Sequence, residues 1–274
     1  MSEGRKSGKR DAEWHIIIYV PAYNAEGTVG ELVRRTKKAD EGLGRIGASI
    51  DAMVIVNDGS RDGTMAELRG LGREAGFLHV VDMKENGGPV KALFKGMEEA
   101  EKILAGKGLP PERTIMIRMD SDLEHQPEDI EMLVKPIMDG ERKVTVGYIP
   151  SGAGSGITAR LFNEFAGNGE SKKFLGISIP QFCPGFIAMR ADLFRKAHPL
   201  LKEKAERFRE KTGMEMLTMD FVILVVAKWL GEQPGVFRLR PVEERYVKKP
   251  RKGKVLDYLD YHNKTMRFLE GEVR

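Results

Sequence analysis

The sequence predicts an α/β fold with a mainly parallel central sheet flanked by helices. Short runs of branched apolar residues alternate with stretches whose apolar residues recur at helical spacing. Gly, Asn and Asp cluster at the joints between them, as in strand-to-helix turns. The chain has 274 residues with 41% hydrophobic content, which is enough for one large core. In such sheets ligands bind at the carboxyl ends of the strands.

The first half alternates regularly between the two kinds of element. Val90, Leu93 and Met97 recur at helical spacing behind Pro89, a residue typical of a first helical turn. Each helix follows a strand directly, so the strands are expected to run parallel. Strands are predicted at 15–20, 53–56, 77–83 and 114–119, and helices at 28–38, 63–76, 89–104 and around 130–137.

The second half is less regular. Strands are predicted at 143–149 and 186–189, a Gly-rich loop at 151–156, a charged helical run at 202–211 and a closing helix at 255–269. Residues 1–12 are predicted to be a disordered basic tail, and 13–274 a single domain.

Composition limits the classes of protein. The formal net charge of +4 slightly favours anionic partners. One cysteine, Cys183, excludes a disulfide framework and fits a reducing compartment. The longest apolar run, 221–230, contains Lys228 and is about half of what a bilayer requires. We therefore expect a cytoplasmic protein.

Common nucleotide and metal motifs do not explain this chain. Residues 42–47 match G-x-G-x-x-G, but they follow a predicted helix and precede a strand, the reverse of a dinucleotide site. No P-loop string is present, and the cysteine and histidines lack zinc spacing.

Asp120 and Asp122 are the most informative pair. They lie one residue apart at the end of an apolar strand, so both side chains point to one side of an extended segment. Two such carboxylates suit Mg²⁺ or Mn²⁺ that also binds substrate phosphates. The alternative is that Asp122 only opens the following turn.

The loops after the first two strands carry further candidates. Tyr23 and Asp58 lie at the carboxyl edge of the predicted sheet. A carboxylate there can accept a nucleobase N–H, and a tyrosine can stack on the ring. Ordinary turn chemistry is the competing interpretation, because Asn, Asp and Gly are the usual turn residues.

Four segments in this order resemble family 2 glycosyltransferases. They are Ile18–Asn24, Val54–Thr64, Glu85–Gly88 with Lys91–Leu93, and Met119–His125. The D-x-D-L-x-H string and the Asn-Gly-Gly helix start are similar to polyprenyl-phosphate glycosyltransferases, such as dolichol-phosphate mannose synthase. The resemblance implies a nucleotide-diphospho-sugar transferase fold of the glycosyltransferase-A type, with 13–140 as the nucleotide-sugar half and 141–274 as the acceptor half.

The resemblance also implies site residues. Asp120 would bind nucleotide and metal, and Asp122 would serve both metal and catalysis, with Glu124 as a further metal ligand. Asp220 would be the catalytic base, with Glu215 as the alternative. The nucleoside contacts would be Pro21, Tyr23, Glu26 and Asp58, and the acceptor-phosphate contacts Arg160, Arg190, Arg251 and Lys254.

Departures from the family pattern concern the acceptor most. Pro184 stands where the family has the Ser of Ser-Gly-Phe, and Met219 where a Glu precedes Asp220. Asn57 replaces an Asp, and the basic tail lacks a Ser.

The function expected is metal-dependent, inverting transfer from a UDP- or GDP-sugar to an acceptor such as polyprenyl phosphate, with peripheral contact at the cytoplasmic membrane face. Transfer to a soluble hydroxyl acceptor or glycan, with Asp220 as base, is the first alternative. A binding module without turnover is the second. A sugar-1-phosphate nucleotidyltransferase is disfavoured, because the loop at Pro21 lacks the Gly-rich pattern, and no nucleic-acid partner is expected.

Overall fold

A computed structural model describes residues 13–71, 76–149, 168–181, 184–246 and 255–272 of the protein. Within these ranges one seven-stranded sheet has the strand order β3-β2-β1-β4-β6-β5-β7. The strands are β1 (Trp14–Ala22), β2 (Ala48–Asp58), β3 (Leu78–Met83), β4 (Thr114–Arg118), β5 (Val144–Tyr148), β6 (Phe186–Arg190) and β7 (Gly235–Arg238).

Helices follow most strands along the chain. They are α1 (Val29–Leu43), α2 (Thr64–Leu71), α3 (Pro89–Gly106), α4 (Ile130–Met138), α5 (Asn168–Leu175), α6 (Ala191–Thr212), α7 (Met219–Trp229) and α8 (Val255–Glu272). None of these described helices is long and apolar enough to cross a membrane.

The sheet is buried on both faces, which explains its continuous apolar strands. Ile16, Ile17 and Ile18 of β1 are all fully buried, although successive side chains point to opposite faces. Ile17 packs into the core that includes residues of α3, α6 and α7. Ile16 and Ile18 pack into the second core, with residues of α1 and α4. The result is a helix–sheet–helix sandwich.

Parallel pairing brings three loops to one edge. β1 pairs in parallel with β2 on one side and with β4 on the other, and β3 pairs in parallel with β2. The loops that follow β1, β2 and β4 therefore meet at the same end of the sheet. β6 runs antiparallel to β4 and β5, so the start of β6 lies at this end too.

The mainly parallel α/β architecture predicted from the sequence is confirmed, with shifted element ends. α1 continues to Leu43, and Gly44–Ile46 forms one 3₁₀ turn before β2, so the glycines there only reverse the chain. The charged run 202–211 is the later part of α6, whose earlier turns bury Leu193 and Phe194. A strand at 186–189 was predicted, and β6 confirms it, but no sequence signal indicated that it runs antiparallel to β4 and β5. The tail 1–12, the loop 151–156 and Cys183 lie outside the described residues.

Candidate functional site

A cavity of about 610 Å³ opens at the carboxyl edge of the sheet. The loops after β1, β2 and β4 form one side, and the start of α3, the start of α7 and residues 245–246 complete it. The residues that carry polar chemistry in its wall are Tyr23, Asn24, Glu26, Thr28, Asp58, Asn86, Arg118, Asp120, Ser121, Asp122, Asp220, Arg245 and Tyr246.

The loop after β1 is fastened to the loop after β2 by reciprocal hydrogen bonds. The Asn24 amide N–H donates to Ser60 Oγ over 2.9 Å, and the Arg61 N–H donates back to Asn24 Oδ1 over 2.9 Å. Asn24 itself has φ 50°, a left-handed conformation that Asn tolerates better than most residues. This lock fixes the neighbouring Tyr23, whose side chain stays 47% exposed at the cavity.

Glu26 has a structural partner within this lock. The Gly63 N–H donates to Glu26 Oε2 over 3.0 Å, and the Glu26 N–H donates to Asp62 Oδ2 over 3.1 Å. A Cβ at position 63 would overlap the Glu26 carboxylate, so a larger residue there would displace this side chain. Glu26 lines the cavity as predicted, while one of its oxygens already holds the second loop.

Asp58, the last residue of β2, lines the cavity. Its two carboxylate oxygens accept the N–H groups of Gly87 over 2.6 Å and Gly88 over 3.0 Å. These amides immediately precede α3, so Asp58 fixes where this helix begins. Gly59, at φ 63°, allows the close approach, because a Cβ there would lie 2.5 Å from the Asn86 nitrogen.

The loop after β4 carries Asp120 and Asp122 into the cavity. Leu123, between the loop and the core, has φ 62° and a fully buried side chain. His125 is buried against Phe186, with ring centroids 5.4 Å apart, and its Nδ1 lies 3.5 Å from Asp120 Oδ2. A non-glycine residue held at positive φ is strained, which is common at functional sites. The Leu and His of the D-x-D-L-x-H string are therefore buried side chains that anchor the loop carrying Asp120 and Asp122.

Arg118, the last residue of β4, lies between two carboxylates. Its Nη1 is 2.7 Å from Asp120 Oδ1, and its Nε is 2.9 Å from Asp220 Oδ1. Nη1 also donates to the Gly185 carbonyl over 2.5 Å. Both neighbouring carboxylates raise the pKa of this buried guanidinium against the opposing effect of desolvation, so it stays charged.

Asp220, in the first turn of α7, is a buried carboxyl at the cavity wall. Burial and then the charge of Asp120 raise its pKa to about 6, although Arg118 acts in the opposite direction. Such a carboxylate can take up a proton near neutral pH, which suits a general base. The predicted base therefore reaches the cavity, whereas Glu215 does not line it and pairs with Arg209 over 3.7 Å.

The charge of the cavity bears on the predicted metal. The described residues that line it include five carboxylates, those of Glu26, Asp58, Asp120, Asp122 and Asp220, and two guanidiniums, those of Arg118 and Arg245. An anionic diphosphate needs additional positive charge there. Among the described residues no group of three metal-binding side chains forms, so a three-carboxylate site with Glu124 is not assembled. Two carboxylates completed by phosphate oxygens and water do fit Mg²⁺.

Not every predicted residue reaches this cavity. Glu124 does not line it, although its N–H donates to Asp122 Oδ1 over 3.1 Å. Arg190 is aligned with Ile115, at the start of β4, and therefore lies at the opposite edge of the sheet. There its guanidinium forms two 2.7 Å bonds to Asp192. The remaining basic candidates, Arg160, Arg251 and Lys254, lie outside the described residues.

Sequence reasoning missed Arg118, Arg245 and Tyr246. A single arginine at the end of an apolar strand was the available signal for Arg118. Arg245 stacks on the Tyr246 ring at 4.6 Å, and it pairs with Glu243 over 3.0 Å. Tertiary folding brings Arg245 and Tyr246 to the cavity, and no local sequence pattern predicts their position there.

Comparisons with known proteins agree on one family. The family model described as "Glycosyl transferase family 2" matches residues 17–197. The undecaprenyl-phosphate 4-deoxy-4-formamido-L-arabinose transferase of Pseudomonas paraeruginosa is 32% identical over 126 residues, covering 46% of this chain and 33% of that protein. The match thus spans about one third of the length of this curated relative.

Solved structures agree on the fold. Mannosyl-3-phosphoglycerate synthase from Rubrobacter xylanophilus aligns with a TM-score of 0.57 at 13% identity, covering 95% of this chain and 74% of that one. Glucosyl-3-phosphoglycerate synthase from Mycobacterium tuberculosis, in complex with Mn²⁺ and UDP-glucose, aligns with a TM-score of 0.52 at 17% identity, covering 94% and 78%. Together with the sheet order, these alignments confirm the predicted glycosyltransferase-A type of fold.

Proposed function

Because the chain belongs to glycosyl transferase family 2, we propose that it is a metal-dependent, inverting glycosyltransferase. It would move a sugar from a UDP- or GDP-sugar to a polyprenyl phosphate. The observation that carries this proposal is one cavity that joins an exposed tyrosine, an acidic pair at the end of β4 and a buried candidate base. Such a cavity has places for a nucleoside, a diphosphate and an attacking oxygen.

The donor would lie along the loops after β1, β2 and β4. Tyr23, half-exposed at the cavity, offers a face on which a base can stack. Pro21 and Asp58 line the same end. The diphosphate would lie toward Asp120 and Asp122, where the acidic wall requires a bridging cation.

Asp120 and Asp122 would hold the cation, Mg²⁺ or Mn²⁺. The ion, when bound, neutralises the charge that develops on the departing diphosphate. The solved relative with Mn²⁺ and UDP-glucose supports a divalent metal in this fold. Asp120 and Asp122 both line the cavity, so we expect metal binding to depend on both carboxylates.

The transfer would be a single displacement. An acceptor oxygen forms a bond to the anomeric carbon while the bond from that carbon to the diphosphate oxygen breaks, which inverts the configuration. The nucleoside diphosphate leaves with the bonding electron pair. A phosphate acceptor is already anionic and needs no base, so Asp220 would then only shape the site.

The curated relative supports a polyprenyl-phosphate acceptor, since its name contains undecaprenyl phosphate. Arg245, an exposed cation in the cavity wall, is the described residue best suited to meet the acceptor phosphate. A lipid-linked acceptor would bring the protein to the cytoplasmic membrane face as a peripheral partner.

A hydroxyl acceptor is the second candidate. The observation in its favour is Asp220, whose pKa of about 6 and position in the cavity suit a base that deprotonates a sugar or glycerol hydroxyl. In that case Asp220 removes the hydroxyl proton as the oxygen attacks.

A thermal-shift screen of UDP- and GDP-sugars, each with Mg²⁺ or Mn²⁺, tests the donor. A true donor stabilises the folded state by mass action, and only with the metal present. Transfer assays with a C55 polyprenyl phosphate and with soluble hydroxyl acceptors then test the acceptor. With a phosphate acceptor Asp220→Asn keeps its turnover, because the amide oxygen can still meet the Arg118 guanidinium. With a hydroxyl acceptor it loses turnover, because the amide cannot take up the proton. Stabilisation without transfer or hydrolysis would instead indicate a binding module, and no stabilisation by any donor would refute the assignment.

A further inference from the structure

We propose that Arg118 is a positioning residue that holds the donor-side carboxylate Asp120 and the acceptor-side carboxylate Asp220 in one fixed arrangement. This inference rests on the proposed function. Among the described residues, the two carboxylates are linked by the Arg118 guanidinium. It lies 2.7 Å from Asp120 and 2.9 Å from Asp220. The two ends of the reaction would thus be aligned by one side chain that is almost fully buried in the cavity wall.

Burying the charged side chain of Arg118 costs desolvation free energy. The three residues before it in β4, Ile115, Met116 and Ile117, are almost fully buried and apolar. Arg118 itself is 8% exposed. Burying a guanidinium between carboxylates contributes little net stability, because desolvation offsets the attraction. A fixed arrangement of the partners is a role that such a group fills better than an apolar residue would.

The shape of the guanidinium matches the arrangement. Nη1 lies 2.7 Å from Asp120 and donates to the Gly185 carbonyl, while Nε forms a close ion pair with Asp220 over 2.9 Å, without hydrogen-bond alignment. These contacts use separate nitrogens of one rigid planar group. A lysine ammonium is a single point of charge on a flexible stem and cannot reproduce this fork.

Gly185 provides the space for this fork. A Cβ at position 185 would overlap both the Asp120 carboxylate and the Arg118 guanidinium. Gly185 has no positive φ, and the three atoms nearest to an added Cβ all belong to Asp120 and Arg118, so an alanine there would act on the ion pair. Pro184 precedes Gly185 and Phe186 begins β6, so a strand of the second half closes over the pair from the first half.

The acidic neighbours make the loss of Arg118 specific. Without the guanidinium, the like charges of Asp120 and Asp220 would repel each other across the cavity wall. The loop after β4 and the start of α7 would then relax apart. Small misalignments of reacting groups reduce turnover by about 100-fold while binding is largely kept.

Arg118→Lys tests the geometry because it keeps the charge and removes the fork. With the donor and acceptor that the wild type uses, we expect kcat to fall about 100-fold, with the donor KM changed less than about threefold. Melting temperature and circular dichroism report folding. Arg113→Lys, at the other end of β4 and half-exposed, is the matched control and should keep wild-type kcat.

Chemical rescue separates positioning from a purely structural role. Arg118→Ala leaves a space at the cavity wall, and millimolar guanidinium should restore part of kcat in this variant but not in Arg118→Lys. If the Arg118 variants do not fold, Gly185→Ala replaces them, since its methyl group displaces the fork while every charge remains.

Four outcomes decide the inference. A large kcat loss in folded Arg118→Lys with rescue of Arg118→Ala supports it, as does a kcat loss in folded Gly185→Ala. Turnover of either folded variant, Arg118→Lys or Gly185→Ala, within threefold of wild type overturns it, and so does a kcat loss in folded Arg118→Ala that guanidinium does not reverse. Absence of any turnover in the wild type would refute the proposed function itself, on which the inference depends.

Discussion

The two sides of the cavity are built by different kinds of contact. On the proposed donor side, carboxylates are held mainly by backbone amides, since Asp58 accepts two N–H hydrogen bonds and Glu26 a third. On the proposed acceptor side, side-chain ion pairs dominate, as in Arg118 with Asp220. Backbone contacts follow from local turn chemistry, whereas ion pairs depend on distant side chains. The proposed donor side is therefore easier to predict from the sequence.

The segment 239–246 shows the second kind of contact most clearly. Arg35 of α1 forms two bonds to Glu128, of 2.9 and 2.6 Å, and one of 2.7 Å to Glu243. Arg240 pairs with the buried Asp129 over 2.7 Å. This network, defined here as the Arg35 cluster, fastens the segment that brings Arg245 to the cavity. Partners up to 208 positions apart make it unpredictable locally.

Asp122→Asn should have the largest effect on turnover. It removes the negative charge on which we expect metal binding at the diphosphate end to depend, so kcat should fall about 100-fold or more. Sugar transfer at several Mn²⁺ concentrations measures this loss. Asp139→Asn, an exposed residue of the same type paired with Lys135, is the control and should behave like wild type. Retained metal-dependent turnover in Asp122→Asn would remove the basis of the donor side.

Gly59→Ala should lower the free energy of unfolding by disturbing the proposed donor side. Its Cβ would lie 2.5 Å from the Asn86 nitrogen, and its φ of 63° is unfavourable for alanine. We expect a loss of about 2–3 kcal/mol in the free energy of unfolding. Urea denaturation measures it. Gly106→Ala, with open space around it and an ordinary helical φ, should be neutral or slightly stabilising. Equal stability of the two variants would contradict the close packing at Gly59.

Arg35→Met should weaken the acceptor side selectively. Arg35 is 12% exposed, but its partners Glu128 and Glu243 are 29% and 35% exposed, so water moderates the loss to about 1–2 kcal/mol. The KM for the acceptor should rise, because the segment that carries Arg245 is released, while the donor KM stays unchanged. Arg34→Met, exposed by 61%, is the neighbouring control. A rise in the donor KM instead would contradict the prediction that the Arg35 cluster supports only the acceptor side.

The pH dependence of stability gives the smallest effect. Burial alone would raise the pKa of Glu128, but hydrogen bonds and the charge of Arg35 outweigh burial and hold this pKa below its usual range. The folded state therefore binds this proton less tightly than the unfolded chain, so the pair stabilises at neutral pH and this stabilisation is lost as the pH falls below about 4.

Melting temperatures of wild type and Glu128→Gln, measured from pH 7 to pH 3, test this dependence. The wild type should lead at pH 7, and the gap should close on acidification. A gap that stays constant with pH would show that the Glu128 charge contributes nothing to the Arg35 cluster.

The donor half was largely predictable from sequence. Apolar runs identified β1 to β4, and turn residues marked the loops after them, because both signals are local. The positions of Tyr23, Asp58, Asp120 and Asp122 at one cavity followed from the parallel topology alone. Their roles toward nucleotide and metal remain predictions.

The acceptor half was not predictable in the same way. Arg190 seemed suitable because it follows a motif-like segment, yet β6 runs antiparallel and carries it to the opposite edge. Strand direction is set by pairing between distant segments, which leaves no mark on the residues themselves. Arg118 and Arg245 were missed for the same reason, since each gains its meaning only from partners in other elements.

The sequence by itself determined the alternation of strands and helices, the edge at which the cavity opens and the carboxylates that line it. These features depend on apolar periodicity and turn chemistry, which act over a few residues. Only the tertiary structure decided that Arg118 joins Asp120 to Asp220 beneath Gly185, and that the Arg35 cluster brings residues 245–246 to the rim. Ion pairs between distant segments exist only after the chain has folded, because Coulomb attraction depends on distance in space and not along the chain.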